Sequence, residues 1–124
     1  MNLAEQALTQ KVRAAALTYV DCINKKDLPR LLALFAEDGQ LNHPYGVFKG
    51  KDKLEEFYGG LVMKADTQLS TGRIAAEGRV CSVEVTGRSP QAPDKAQYAI
   101  DLFEVNDQGL ITELAIYYRN FDMK

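Results

Sequence analysis

The stretch that most constrains the fold is the run of alternating side chains at residues 97–105, Gln-Tyr-Ala-Ile-Asp-Leu-Phe-Glu-Val. In an extended strand, successive side chains point to opposite faces. One face then carries Ala99, Asp101, Phe103 and Val105, and the other carries Tyr98, Ile100 and Leu102. Because both faces hold apolar residues, the run predicts a strand that is covered on both sides, with Asp101 buried.

A buried carboxylate at Asp101 needs an explanation. It costs several kcal/mol unless it is paired with a cation, hydrogen-bonded or kept protonated. No Lys or Arg occupies a same-face position of this strand. Two interpretations follow. Either Asp101 bonds a hydroxyl or a loop amide and only holds the sheet together, or it is an acid with a function.

The bulk composition favours one soluble globular domain over residues 1–124, since 46% of the residues are hydrophobic. The 15 basic and 17 acidic residues are interspersed and leave a net charge of -2. This pattern predicts neither a nucleic-acid partner nor a membrane partner. The polar N-terminus is unlike a signal peptide, and no apolar run approaches the roughly 20 residues that span a bilayer, so we expect a cytoplasmic protein.

The residues that commonly bind metals are sparse. Cys22 and Cys81 lie far apart and form no metal or redox motif, and the chain has one histidine. We therefore expect two free thiols and no metal site.

Helical periodicity dominates the first half of the chain. The first predicted helix, Leu3–Asn24, has one apolar stripe that includes Tyr19, so the tyrosine hydroxyl needs an internal partner. That partner is either a backbone carbonyl of the core or another group of a site. A second helix is predicted at Leu28–Ala36, with Gly39 in the left-handed position after it. A third follows Gly50, and its predicted buried face is Leu54, Phe57, Tyr58 and Leu61.

Strand-like alternation dominates the second half. The predicted strands are two short ones at Gln40–His43 and Val47–Phe48, then Gln68–Ile74, Arg79–Arg88, Gln97–Val105 and Leu110–Asn120. Helices followed by a meander of strands predict an α+β domain, in which three helices cover one face of a curved, mostly antiparallel sheet. A sheet that the helices do not fill leaves an apolar pocket. Tyr19 and Asp101 are expected to converge there.

Several segments, in this order and spacing, carry a resemblance to a known family. They are Tyr19-Val20, Asn24-Lys25-Lys26-Asp27-Leu28, Ala33-Leu34-Phe35-Ala36-Glu37-Asp38, His43-Pro44-Tyr45-Gly46, Glu56-Phe57-Tyr58 and Ile100-Asp101-Leu102-Phe103. Together they resemble the ketosteroid isomerase branch of the nuclear transport factor 2-like (NTF2-like, SnoaL-like) superfamily. The resemblance implies a cone-shaped fold and a homodimer formed through the outer face of the sheet.

The resemblance also implies a chemistry. Such enzymes move a double bond next to a ketone: a carboxylate removes a proton α to the carbonyl, while a tyrosine and a neutral aspartic acid donate hydrogen bonds to the enolate oxygen. By position, Tyr19 matches that tyrosine, Asp101 matches the neutral acid, and Tyr58 matches a tyrosine that supports the first. His43 stands before the Pro-x-Gly turn, where the isomerases have their aspartate base.

Two roles stay open for His43. A neutral imidazole is a competent base near pH 7, and His43 is then the fourth catalytic candidate beside Tyr19, Tyr58 and Asp101. Alternatively, His43 only lines the pocket. Members of the superfamily with histidine and aspartate in the pocket include dehydratases and polyketide cyclases, and in some of them an acid on a strand is the base, which implies an ionised Asp101.

Two classes of function follow. The first is a cofactor-independent enzyme that acts on a small apolar carbonyl compound by α-proton abstraction, leading to isomerisation, dehydration or cyclisation. The second is a noncatalytic domain of the same fold that binds a small carbonyl or phenolic ligand or serves in protein assembly.

Overall fold

The computed structural model describes residues 2–121, which form three helices, one π-helical turn and six strands. The helices are α1 (Leu3–Lys25), α2 (Leu28–Ala33) and α3 (Lys51–Phe57), and the π-helical turn is Tyr58–Val62. The strands are β1 (Phe35–His43), β2 (Gly46–Lys49), β3 (Gln68–Glu77), β4 (Val80–Arg88), β5 (Gln97–Val105) and β6 (Ile111–Tyr118).

All six strands join one sheet in the order β2-β1-β6-β5-β4-β3. The β1–β6 pair is parallel and every other pair is antiparallel. The register slips within β3 and at the β1–β6 pair, and such bulges bend a sheet. The predicted α+β architecture with a mostly antiparallel sheet is therefore confirmed.

Strand β5 has the bounds and the facing that its alternation predicts. On its inner face, Phe103 and Val105 are buried in the core and Asp101 is only 2% exposed. On its outer face, Tyr98 and Ile100 are 36% and 45% exposed. The prediction that both faces are covered is thus wrong within the described chain, because the helices pack on one face only.

The second helix is shorter than predicted. It ends at Ala33, and the chain becomes extended at Phe35, which pairs with Ile111 of β6. Gly39 lies inside β1 and is not among the glycines with positive φ. A Cβ on Gly39 would meet the Ile111 carbonyl oxygen at 2.8 Å, so this glycine permits a close approach of two backbones and does not end a helix.

The third helix changes its winding after Phe57. The amide of Met63 donates to the Tyr58 carbonyl at 2.8 Å, a hydrogen bond of the π type. Leu54, Phe57 and Tyr58 are buried as predicted, whereas Leu61 is 49% exposed. The prediction for Leu61 is wrong because a wider turn shifts the period of 3.6 residues on which it rested.

Helix α1 lies across β3, β4 and β5 and supplies much of the core. Asn2 caps it by accepting a hydrogen bond from the Glu5 amide at 2.8 Å. At its other end, Lys26 takes the left-handed conformation. Tyr19, which belongs to the buried stripe of the helix, is only 2% exposed, so the helix places this side chain against the inner face of the sheet.

Two further predictions concern the cysteines and the membrane. Cys22 and Cys81 are both buried free thiols, as predicted. None of the helices within residues 2–121 is long and apolar enough to cross a bilayer.

Candidate functional site

A cavity of about 330 Å³ lies between the helices and the inner face of the sheet. This volume is in the range of small-molecule pockets. Much of its wall is apolar, formed by residues that include Ile23, Phe57, Val62, Leu69, Val85 and Ile116. The wall also includes side chains that can exchange or donate protons, among them Tyr19, His43, Asp101 and Tyr118. The sequence predicts an apolar pocket between the helices and the sheet, and this cavity lies there.

Tyr19 is held by a second tyrosine. Its hydroxyl lies 2.8 Å from that of Tyr58, and both side chains are buried. The two rings meet edge to face, and Phe103 packs against Tyr19 in the same way, which fixes the ring. Burial raises the pKa of both hydroxyls well above the ordinary value of 10, so both keep their protons at neutral pH. Tyr19 reaches the cavity, and Tyr58 lies behind it.

Asp101 is the buried carboxyl of the cavity wall. Its Oδ1 atom has no hydrogen-bond partner anywhere in residues 2–121. Burial therefore raises the pKa of Asp101 from 3.8 to about 7, because nothing replaces the water that a carboxylate loses. Of the two interpretations from the sequence, a purely structural hydrogen bond at Oδ1 has no support. The carboxyl instead faces the cavity in a state that changes charge near neutral pH.

His43 lies at the end of β1 inside a cluster of aromatic rings. Tyr45, Phe57, Tyr118 and Phe121 surround the imidazole with centroid distances of 4.8 to 5.4 Å. Its Nδ1 accepts a hydrogen bond from the Tyr45 amide at 3.1 Å, and its Nε2 lies 3.0 Å from the Tyr118 hydroxyl. Burial lowers the pKa of His43 from 6.5 to about 4, so the imidazole is neutral at pH 7.

These contacts bear on the predicted role of His43 as a base. A neutral imidazole has one nitrogen lone pair. The Tyr45 amide already occupies it at Nδ1, so His43 can take a proton there only by breaking that hydrogen bond. The role of general base at His43 stays a prediction that the geometry does not favour.

Tyr118 is a site residue that the sequence does not single out. It stands opposite Ala99 in the β5–β6 register, so its side chain shares the inner face with Asp101. Tyr117, the preceding residue of β6, is 61% exposed on the outer face, so Tyr118 points to the inner face. Only the register between distant strands brings it to His43, and no sequence pattern gives that register.

The structure thus brings Tyr19, His43 and Asp101 to one cavity, with Tyr58 directly behind Tyr19. Their catalytic roles stay predictions. Among the described residues, no group of three or more His, Cys, Asp or Glu side chains is placed to hold a metal ion. The arrangement combines a carboxyl that titrates near pH 7 with tyrosine donors in an apolar space. Such a site can move a proton and stabilise a developing oxyanion.

Comparison with known proteins gives relatives of the same size. The steroid Delta-isomerase of Nocardioides simplex is 31% identical over 122 residues, covering 94% of this chain and 96% of that protein. RV0760c of Mycobacterium tuberculosis, solved in complex with estradiol-17beta-hemisuccinate, is 18% identical with a TM-score of 0.74, covering 91% of this chain and 96% of the other.

A third similar protein is SalBIII, an epoxide hydrolase/cyclase-like enzyme of pyran ring formation in the polyether salinomycin. It is 20% identical with a TM-score of 0.78, covering 88% of this chain and 91% of SalBIII. At these identities the two solved structures establish the fold alone.

The family itself follows from the sequence match. The family model of the SnoaL-like domain matches residues 16–114, which is most of the chain and includes Tyr19, His43, Tyr58 and Asp101. Together with the full-length similarity to the Nocardioides simplex protein, this match establishes that the chain belongs to the SnoaL-like family of NTF2-like domains.

Proposed function

We propose that this protein is a cofactor-independent enzyme that isomerises a small, largely apolar ketone by removing a proton from the carbon next to the carbonyl. Asp101 is the base, Tyr19 donates a hydrogen bond to the carbonyl oxygen, and Tyr58 supports Tyr19. The single observation that carries the proposal is the buried Asp101 carboxyl, which lines the cavity and has no partner for Oδ1 in the described chain.

The pKa of Asp101 suits this role. A general base works best when its pKa lies near the working pH, and burial places that of Asp101 at about 7. The carboxylate takes the α-proton, and the electrons of the broken C–H bond move onto the carbonyl oxygen as an enolate. The resulting carboxylic acid then returns the proton to the γ-carbon. The double bond moves and no redox partner is consumed.

The tyrosine pair stabilises the enolate. If Tyr58 donates to the Tyr19 oxygen across their 2.8 Å contact, the proton of Tyr19 is free to point into the cavity. Tyr19 is only 2% exposed, and a fixed donor in so buried a position stabilises a developing oxyanion far better than one in water does. Both tyrosines stay protonated because burial raises their pKa.

The substrate class that we propose is a β,γ-unsaturated ketosteroid. The full-length relative is a steroid Delta-isomerase, and a similar fold binds a steroid ester in RV0760c. The cavity is apolar along much of its wall, and Tyr19 and Asp101 are among its proton-exchanging groups. That distribution suits an apolar skeleton with one ketone. The cytoplasmic location inferred from the sequence stays a prediction.

Binding of phenols tests the enolate site without a known substrate. A phenolate oxygen beside a protonated Asp101 mimics the enolate intermediate. At a pH below the Asp101 pKa of about 7, we expect the Tyr19→Phe variant to bind acidic phenols at least about tenfold more weakly, or roughly 1.4 kcal/mol. Calorimetric titration measures the affinity. Tyr117→Phe, an exposed tyrosine on β6, is the matched control, and equal binding by the Tyr19→Phe variant and the parent would contradict the proposal.

A noncatalytic ligand-binding domain is the second candidate. The observation that favours it is His43, which stands where the related isomerases have their aspartate and has its lone pair occupied by the Tyr45 amide. Such a protein would bind phenols and ketosteroids through Tyr19 and Asp101 without converting them. One experiment separates the two candidates. The protein is incubated with saturating amounts of a β,γ-unsaturated ketosteroid, and the ultraviolet absorbance of the conjugated product is measured.

We also expect a homodimer through the outer face of the sheet. Ile100 and Tyr117 are paired across β5 and β6, and both are exposed, at 45% and 61%. Replacing Ile100 by Asp places a charge in this apolar surface and should weaken dimerisation at least about tenfold. Sedimentation velocity over a concentration series measures this. Val47→Asp, at the exposed sheet edge on β2, is the control, and a monomeric parent would refute the expectation.

A further inference from the structure

The His43–Tyr118 pair has a fixed direction of hydrogen bonding. The Tyr45 amide can only donate, so Nδ1 of His43, at 3.1 Å, must be the acceptor. The single proton of the neutral imidazole is then on Nε2. Since Nε2 lies 3.0 Å from the Tyr118 hydroxyl, His43 donates and the Tyr118 oxygen accepts. The direction follows from the backbone amide alone.

This direction leaves the Tyr118 proton unused. The described residues offer the Tyr118 hydroxyl no second hydrogen-bond partner besides His43. Tyr118 lines the same cavity as Tyr19 and Asp101. Burial, and after it the nearby charge of Asp101, raises the pKa of Tyr118 above its ordinary value, so the hydroxyl remains a donor at neutral pH.

The arrangement repeats that of the tyrosine pair. Tyr58 is fully buried behind Tyr19, and His43 stands behind Tyr118. In each pair a backing donor can bond the oxygen of a hydroxyl that lines the cavity. A hydroxyl that accepts one hydrogen bond becomes a stronger donor for the next. Asp101 lies on the same face of β5 as Ala99, two residues away, and Ala99 is the register partner of Tyr118.

We propose that Tyr118 is a second hydrogen-bond donor to the ligand oxygen that Tyr19 binds, and that His43 is the positioning residue that aims it. The inference deepens the proposed function and rests on it. It assigns His43 a role other than proton transfer. It also accounts for a histidine whose two ring nitrogens are both engaged.

Nuclear magnetic resonance of the single histidine tests the direction of the pair. The sequence has one histidine, so a tag-free, ¹⁵N-labelled chain gives one set of imidazole signals. We expect a neutral ring protonated on Nε2 at neutral pH, with an Nε2 proton protected from exchange. Tyr118→Phe removes the acceptor and should speed the exchange of that proton. A ring protonated on Nδ1 in the parent would overturn the inference.

Phenol binding tests the contact with the ligand. We expect Tyr118→Phe to weaken the binding of acidic phenols about tenfold, and His43→Leu to weaken it about threefold or more, because Tyr118 is then no longer aimed or polarised. His43→Gln keeps a donor amide and should recover part of this loss. Tyr117→Phe, which changes the exposed tyrosine next in sequence, is the matched control.

The outcomes separate this inference from the proposed function. If Tyr19→Phe weakens phenol binding and Tyr118→Phe does not, the inference is wrong and the proposed enolate site stands. If neither variant changes binding, both are wrong. If Tyr118→Phe does not fold, the phenol affinities of His43→Leu and His43→Gln test the inference instead. Equal binding by these two variants and the parent would overturn it.

Discussion

Replacing Asp101 by Asn is expected to lower the turnover of a β,γ-unsaturated ketosteroid at least about 100-fold, the usual minimum for loss of a general base. Asn has nearly the shape of Asp and, like the protonated acid, has a hydrogen-bond donor, but it cannot accept the α-proton. The assay is the rise in ultraviolet absorbance as the conjugated ketone forms. Glu104→Gln removes an exposed carboxylate from the outer face of the same strand and should leave turnover unchanged.

The pH dependence gives an independent check of the same role. If Asp101 works as a carboxylate base, kcat/KM should rise with pH and level off above its pKa of about 7. His43 is neutral throughout this range, since its pKa is about 4, so His43→Gln should keep the profile. The family resemblance implies a neutral Asp101 that acts as donor, and His43 is then the candidate base. In that case kcat/KM falls above pH 7, Asp101→Asn keeps most activity, and His43→Gln loses it.

The parts of the fold that could be predicted from sequence depend on local periodicity. Strand β5 shows its bounds and its facing in its own alternation, and helix α1 shows its buried stripe. The end of α2 and the role of Gly39 could not be predicted in the same way. Phe35 is extended because it pairs with Ile111 on β6, a strand far away in sequence. The prediction that Leu61 is buried failed for a local reason, because the pattern of apolar residues does not reveal a π-helical turn.

The candidate site also has features that could be predicted from sequence and features that could not. Tyr19 and Asp101 could be placed on inward faces from their own elements, and both line the cavity. His43 could be located from the Pro-x-Gly turn, but its hydrogen bonds could not. The contact from the Tyr45 amide depends on the conformation of that turn, and the contact with Tyr118 depends on two strands meeting. Orientation and protonation at His43 therefore needed three-dimensional geometry.

The second large expected effect is on stability: Asp101→Asn should make the protein more stable at alkaline pH. The carboxyl has a pKa of about 7 when folded and an ordinary value of 3.8 when unfolded. Between these values the folded state binds more protons than the unfolded state, so the contribution of Asp101 to stability is lost as pH rises. This difference between the folded and unfolded pKa values lowers the free energy of unfolding by roughly 4 kcal/mol above pH 7. The loss of stability vanishes below pH 3.8.

Denaturant unfolding of the two proteins measures this effect, at one fixed protein concentration because the proposed dimer would add to stability. The free energies of unfolding of the two proteins should be similar near pH 4. Near pH 8 the free energy of unfolding of the Asp101→Asn variant should exceed that of the parent by several kcal/mol. His43 acts in the opposite sense, because its pKa of about 4 lies below its ordinary 6.5 and the folded state loses stability as pH falls through that window. His43 is present in both proteins, so its effect cancels in the difference.

The sign of that difference separates a functional acid from a structural one. A carboxylate that held the sheet together would be missed at every pH above its unfolded pKa, and Asp101→Asn would then lower stability near pH 8. An unpartnered carboxyl kept for chemistry costs stability when ionised, so its loss stabilises the fold while abolishing turnover. Glu104→Gln should show no comparable pH-dependent difference. A stabilised and inactive Asp101→Asn variant is the combination that only a catalytic role for Asp101 explains.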